Sequence, residues 1–369
     1  MAQAPLFRQP IDGIYKKDFF IVNYVDHDTS TDIKDPECGQ HTYDGHTGTD
    51  FVLRSFPQMD SGVIVRAAAA GTVIYVSDTA FDRNKTVNLL GFGNYVAIAH
   101  AGNTNSYYAH LKKNSARVKV GDKVEAGDAL GLVGSSGNST DPHLHFEVWT
   151  DSTLRDPFSG KCSSSKSYWA EQLPYNTEFG VIDYGMVSFL PTLDTLRERP
   201  TKQTNFASPD SVIGLWTHIY GLQAGDSTTV EWFTPQDSLW FRYSFYHPYG
   251  SEYYYWYSYI LRPLILPGTW TVRFSINKQP KFEQKFTIST STAVSESNEK
   301  SSFEMPSDAD MTVVDVCGRI LWQGKYRQSM PALADGFYIA RCSWNNHFVV
   351  YSILSDGGTT SIINHISTR

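Results

Sequence analysis

An all-β fold is predicted for this 369-residue chain, and three observations carry the prediction. Short apolar runs alternate with Gly, Asn and Asp turns over most of its length. Aromatic residues reach 14% while charged residues are only 19%, with 27 Gly and 17 Pro, a mixture that suits strands and turns. The first half sustains no helical period.

The bulk properties bound the function. A hydrophobic fraction of 41% is enough for packed cores, and the length suits two or three domains. The net charge is −7 and no Lys/Arg block stands out, so no nucleic-acid partner is expected. No apolar stretch is long enough for a membrane span. The start, Met-Ala-Gln-Ala, lacks the basic and apolar regions of a signal peptide, which leaves a cytoplasmic protein or a mature exported chain with an added Met. Cys38, Cys162, Cys317 and Cys342 favour the second: split two and two between the halves, they could form two local disulfides in an oxidising compartment, with free thiols as the alternative.

The elements follow in order. From Ile11 to about Pro157, strands are expected at Val63–Val65, Val73–Val76, Tyr95–Ala99 and Val118–Val120, with turns at Ala101-Gly102-Asn103 and Val120-Gly121-Asp122. This predicts an antiparallel β domain over 1–160. Residues 161–210, Ser-rich and punctuated by Pro191, Pro200 and Pro209, read as a connector wrapping that domain. Alternation returns in Thr229–Phe233 and Trp270–Ile276, so 211–290 is expected to be a small immunoglobulin-like β-sandwich. Its aromatics, including Tyr253-Tyr254-Tyr255-Trp256-Tyr257, suit core and interface packing or a sugar-stacking platform. The polar stretch 291–302 reads as a flexible linker. A last small β module is expected over 303–369, with strands at Met311–Val316 and Gly336–Ala340.

The chemistry concentrates early. His46 and Asp50, four residues apart, share a face in extended or helical backbone. In Pro142-His143-Leu144-His145-Phe146-Glu147-Val148, a strand would send His143, His145 and Glu147 one way and the apolar residues to the core. Between these motifs lies Tyr107-Tyr108-Ala109-His110-Leu111, where Ala109 and Leu111 are expected to face in and His110 to share a face with Tyr108. Two His and one Asp suit Zn²⁺, and three protein ligands leave a position open for water, as catalytic zinc requires. His27 and His41 flank Cys38 and could mark a second metal site, but loop hydrogen bonding explains them more simply; His100 is expected to be structural.

Residues 40–150 resemble the M23 (lysostaphin/LytM-type) peptidoglycan endopeptidases. The resemblance rests on His46-Thr47-Gly48-Thr49-Asp50, on Tyr108-Ala109-His110-Leu111, on His143-Leu144-His145, and on the Gly-rich run from Val118 to Gly137. It implies zinc ligands at His46, Asp50 and His145, and non-ligand catalytic histidines at His110 and His143. Either histidine could be the base, the other bonding the developing oxyanion. Tyr108 is a candidate substrate contact, with a packed wall as its alternative. The Gly-rich run also looks like the hairpin of biotinyl and lipoyl carriers, but no Lys lies between Lys123 and Lys161 to be modified. A Cys38–Cys162 bridge would pin the entry segment to the exit of this domain, and Cys317–Cys342 would staple the last module. That module resembles, more weakly, type IX secretion sorting domains, in Val313–Arg319 and Leu333–Ile339, though its tail runs on to Arg369 without a Lys cluster.

The expected function is a secreted, periplasmic or cell-surface zinc endopeptidase, monomeric, hydrolysing peptidoglycan stems or cross-bridges. A protease for Gly-rich proteins and a non-catalytic wall-binding module are the alternatives. The complete ligand set and both extra histidines speak against the last.

Overall fold

In the computed structural model the chain is almost entirely β. The structure describes residues 3–163, 166–175, 178–206, 212–248, 254–261, 267–289, 309–315, 320–325, 336–344, 347–356 and 359–368. It divides into two compact units, Met1–Thr204 with Gly214–Tyr259 and Thr271–Lys285, and Asn205–Ile213 with Ile260–Trp270 and Phe286–Arg369.

The first unit opens with β1 (Phe19–Asn23), β2 (Thr49–Leu53), α1 (Phe56–Ser61), β3 (Ile64–Arg66), β4 (Gly71–Ser77), β5 (Tyr95–His100), β6 (Thr104–Ala109), β7 (Lys123–Val124), β8 (Ala129–Leu132), β9 (His143–Thr150) and β10 (Thr153–Arg155). These build an eight-stranded sheet in the order β1-β2-β9-β6-β5-β4-β7, with β10 also on β9, while β3 and β8 form a separate pair. The expected strands at 63–65, 73–76 and 95–99 appear as β3, β4 and β5. Val118–Val120 does not form one: it is irregular backbone leading into a turn, and the short strand comes after it, at β7. α1 was not anticipated, since six residues are too few for a period. Its local signature is nonetheless complete, with Ser55 as N-cap, Pro57 in the first turn and Gly62 in left-handed conformation at φ 90° as C-cap.

Strand β9 sets the division of the sheet. Leu144, Phe146 and Val148 are fully buried, in one core with Phe51, Leu53, Val96, Ile98 and Tyr108. The core extends past residue 160: Trp169 packs 5.5 Å from both Phe146 and Phe158, and Phe7 bonds Tyr168 through its N–H. On the opposite face, Phe20, Val22 and Val52 pack with Ile182. Cys38 and Cys162 are disulfide-bonded, as expected.

Beyond lie β11 (Gly180–Val187), α2 (Leu193–Arg197), β12 (Asn205–Phe206), β13 (Val212–Tyr220), β14 (Ser227–Phe233), β15 (Leu239–Tyr246), β16 (Tyr254–Leu261), β17 (Gly268–Ile276) and β18 (Gln279–Ile288). β11, β13 and β16 form one sheet, and β14 pairs antiparallel with both β15 and β17. Trp216, Trp232 and Phe274 are fully buried, so these aromatics serve as core. The Tyr253–Tyr257 side chains lie outside the described residues, as do the 291–302 stretch and Cys317.

In the second unit β12 runs parallel to the end of β18. The C-terminal part forms a five-stranded sheet from β19 (Asp310–Asp315), β20 (Ile320–Lys325), β21 (Gly336–Trp344), β22 (His347–Asp356) and β23 (Thr359–Thr368), ordered β20-β19-β21-β22-β23. Among the described residues no helix is long and apolar enough to cross a membrane.

Candidate metal centre

Three neighbouring strands assemble the site. β9 lies between β2 and β6, and the register places Asp50 opposite His145 on one side and Ala109 opposite His145 on the other. Antiparallel partners share a face, so Asp50 and His145 project together from the side away from Leu144 and Phe146. His46 enters from the loop before β2. The ligand-capable atoms of His46, Asp50 and His145 lie within 4.8 Å of one another, and all three residues are buried.

The outer hydrogen bonds decide which imidazole nitrogens face inward. His46 Nδ1 donates to the carbonyl of Tyr24 at 2.7 Å, which leaves the Nε2 lone pair pointing at the cluster. His145 Nε2 lies 2.9 Å from Glu147 Oε1, so Nδ1 is its inward nitrogen. These two inward nitrogens are 3.2 Å apart, and Asp50 lies 2.8 Å from His145 Nδ1 and 3.2 Å from His46 Nε2. Electron-pair donors converging at this spacing repel unless a proton or a cation sits among them. The donor set of two imidazoles and one carboxylate fits Zn²⁺, with the carboxylate–histidine arrangement usual around such ions.

The electrostatics point the same way. Burial pushes the His145 imidazolium down, but Asp50 and Glu147 together outweigh it and raise its pKa to about 9. Burial likewise opposes ionisation of Asp50, yet the surrounding His46, His143 and His145 hold it well below the usual carboxylate range. The cluster therefore favours positive charge at its centre.

Six residues that the sequence alone left without a role complete the surroundings. Asn23 Nδ2 donates to Asp50 Oδ2 at 2.8 Å. Glu147 accepts from Thr47 Oγ1 and, at 2.7 Å, from Trp149 Nε1 besides its bond to His145. The Tyr43 ring sits 4.5 Å from that of His46. Gly48 is required by close approach: a Cβ there would fall 2.6 Å from His145 Cε1 and 2.8 Å from the carbonyl of Phe146. Of these, only the alternation that aligns Glu147 with His145 was a signal in the sequence.

His110 and His143 stand beside the cluster with ring centroids 4.6 Å apart, and His110 is 5.6 Å from His145. Each donates Nδ1–H to a backbone carbonyl at 2.7 Å, His110 to Ser136 and His143 to Asp141. Both therefore present a bare Nε2. Burial lowers the pKa of each, His110 well below the ordinary value and His143 less, since Asp50 partly offsets it. Both are neutral at pH 7.

Tyr108 is not brought into the site. It lies opposite Phe146, on the core face, and its hydroxyl accepts from the Ala68 N–H at 2.8 Å and from Ser106 Oγ at 3.1 Å. His110 adopts φ 62°, in the left-handed region, which breaks the alternation and lets it leave the face of Tyr108. Tyr107, opposite Glu147, takes the groove side instead. His27 bonds Asp156 at 2.7 Å, His41 stacks on Tyr175, and His100 bonds the Ala70 carbonyl and Ser106, so none of the three joins a second cluster.

Comparison with known proteins agrees with this geometry. The profile of peptidase family M23 matches residues 44–157. The chain is 36% identical over 119 residues to the DD-carboxypeptidase/endopeptidase Mpg of Neisseria meningitidis, covering 32% of this chain and 23% of that protein. It is 37% identical over 116 residues to the glycyl-glycine endopeptidase ALE-1 of Staphylococcus capitis, covering 30% and 28%. The chain thus spans about a quarter of the length of these relatives. Among solved structures it is similar to the lysostaphin catalytic domain of Staphylococcus simulans, 31% identical, covering 31% of this chain and 76% of that one with a TM-score of 0.24. Ligand-capable residues in the expected order, inside a matched segment that holds His46, Asp50, His110, His143 and His145, lead to one assignment: residues 44–157 are a peptidase family M23 domain.

Proposed function

We propose that this chain is a zinc-dependent endopeptidase that hydrolyses peptide bonds in bacterial peptidoglycan, with His46, Asp50 and His145 as metal ligands and His110 and His143 as catalytic residues. The observation that carries the proposal is the convergence of three inward electron-pair donors beside two neutral histidines with bare Nε2 atoms. A bound Zn²⁺ would supply Lewis acidity, lowering the pKa of a coordinated water from about 15.7 to about 7 and polarising the scissile carbonyl.

The chain's own residues handle the proton. His143 Nε2 lies 3.7 Å from Asp50 Oδ1, so a proton taken by His143 is held beside a carboxylate. His110 is more strongly disfavoured as a cation and keeps a neutral ring against the reacting group. Glu147 and the Tyr24 carbonyl fix the ligand tautomers, and the rings of Tyr43 and Phe92 flank the cluster. The names of the relatives, a DD-carboxypeptidase/endopeptidase and a glycyl-glycine endopeptidase, support stem or cross-bridge peptides as substrate. The Cys38–Cys162 bridge supports action outside the reducing cytoplasm.

Purified sacculi of different cross-link chemistry, digested and analysed by mass spectrometry, test the reading. Released peptides should require zinc, and His110→Ala and His143→Ala should keep the metal while losing roughly 10²–10⁴-fold in turnover. Wild-type rates in both variants would refute the mechanism.

A further inference from the structure

The connector contributes to the site, although it lies beyond the residues matched to the family. α2 ends in three successive charges, Arg197, Glu198 and Arg199, each directed to a different place. Arg197 grips both carboxylate oxygens of Asp141, through Nε at 2.9 Å and Nη2 at 2.8 Å, and donates Nη1–H to the Lys85 carbonyl at 2.9 Å. Glu198 pairs with Arg83 at 2.6 Å and Lys85 at 2.8 Å. Arg199 turns away, to the Arg54 carbonyl and to His218 Nδ1 at 2.6 Å. The helix is thereby anchored on one side and holds two loops on the other.

Both loops end at the catalytic histidines. The first, 135–142, supplies the carbonyls of Ser136 and Asp141 that accept from His110 and His143. The second, 81–92, supplies the Phe92 carbonyl that accepts the backbone N–H of His110 at 3.0 Å. The loops are laced together by Ser135 N to Asp82 O at 3.0 Å and Asn84 N to Ser135 O at 2.9 Å. They touch so closely that a Cβ on Gly137 would fall 2.3 Å from the Gly91 carbonyl. A two-pronged guanidinium fixes a carboxylate in position and orientation, and the carbonyl of that same Asp141 orients His143. The pair is nearly out of solvent, with side-chain exposures of 10% and 15%, so water does not loosen it.

The geometry points to Arg197, supported by Glu198, as a positioning residue for His143 and His110, so that the connector completes an active site the matched segment does not hold alone. The inference rests on the peptidase reading above. A purely structural ion pair would offset the burial of Asp141 and do nothing more, so the test separates geometry from stability.

In the full-length chain, Arg197→Ala is expected to lower kcat about 10²-fold, the usual consequence of a small misplacement of a catalytic group, with KM nearly unchanged. Arg197→Lys keeps the charge without the fork and should recover only part of that loss. Zinc content should remain one per chain in both. In the metal-free protein, hydrogen exchange over 81–92 and 135–143 should rise in Arg197→Ala while β6 stays protected. Wild-type kcat in Arg197→Ala would overturn the inference. So would a loss of turnover matched by loss of zinc and of β6 protection, which would make Arg197 a stability residue. Should the wild-type chain bind zinc and cleave no peptide, the peptidase reading fails instead, and unchanged exchange in the two loops would overturn the positioning role separately.

Discussion

On the proposed reading, replacing Glu147 with Gln should weaken zinc binding about 5–30-fold while leaving His46, Asp50 and His145 in place. Glu147 is 3% exposed and its two oxygens accept from His145, Thr47 and Trp149, which together outweigh burial and hold its carboxyl below the ordinary value. Gln keeps an acceptor for His145 but turns an N–H₂ toward Trp149 Nε1, setting donor against donor. A hydrogen bond from His145 to a carboxylate contributes about 1.5–3 kcal/mol, and a neutral one about 0.5–1.5. The difference, on the order of 1–2 kcal/mol, corresponds to about 5–30-fold, overlapping the roughly 10–100-fold seen when the outer partner of a metal-bound histidine is removed. Competition against a chromophoric chelator at pH 7.5 measures the affinity directly. An affinity within threefold of wild type, in a variant that melts normally, would show that Glu147 does not set the basicity or orientation of His145.

Other outcomes follow from the same geometry. In the metal-free protein the His145 pKa of about 9 lies above its ordinary 6.5, so its contribution to stability is complete below pH 6.5 and is lost as pH rises through 9, on the order of 3 kcal/mol. Denaturant melts in chelator should show that decline; a flat profile from pH 6 to 9.5 would contradict it. With zinc bound the proton is replaced and the decline should vanish. Breaking Cys38–Cys162, which closes a separation of 124 residues, should cost about 2–5 kcal/mol without lowering the metal stoichiometry, measured by urea unfolding of Cys38→Ser/Cys162→Ser. Tyr108→Phe should leave kcat unchanged and cost about 1–3 kcal/mol, because it strands the Ala68 N–H in the core; a kcat effect without a stability change would return Tyr108 to the site.

What was legible in the sequence was what a short window can encode. The alternation in His143–Val148 placed two histidines on one face and three apolar residues on the other, and the sheet does the same. Spacing alone aligned His46 with Asp50. Where one residue departs from the local rule, the reading failed: alternation grouped His110 with Tyr108, and the left-handed backbone at His110 separates them. Partners distant in sequence were equally invisible. Asp141 meets Arg197 across 56 positions, and Asn23 meets Asp50 across 27, with nothing in either neighbourhood to announce it. Trp169 lies in the connector expected to wrap this domain, but nothing in the Ser-rich stretch before it marks it as a member of the first core.

The alternation on β9 leaves a degeneracy that only the site removes. Sliding β9 by two residues against β2 would keep every apolar side chain on the core face, since Leu144, Phe146 and Val148 repeat at that interval. Hydrophobic burial therefore discriminates poorly between the native alignment and its slipped neighbours. The slip would put His143 or Glu147 across from Asp50 in place of His145; Glu147 has no imidazole, and His143 would lack the Glu147 partner that turns Nδ1 of His145 inward. On the proposed reading, a divalent ion would favour the alignment that brings His145 to Asp50 and His46, and so would act during folding as an arbiter of strand register as well as in chemistry.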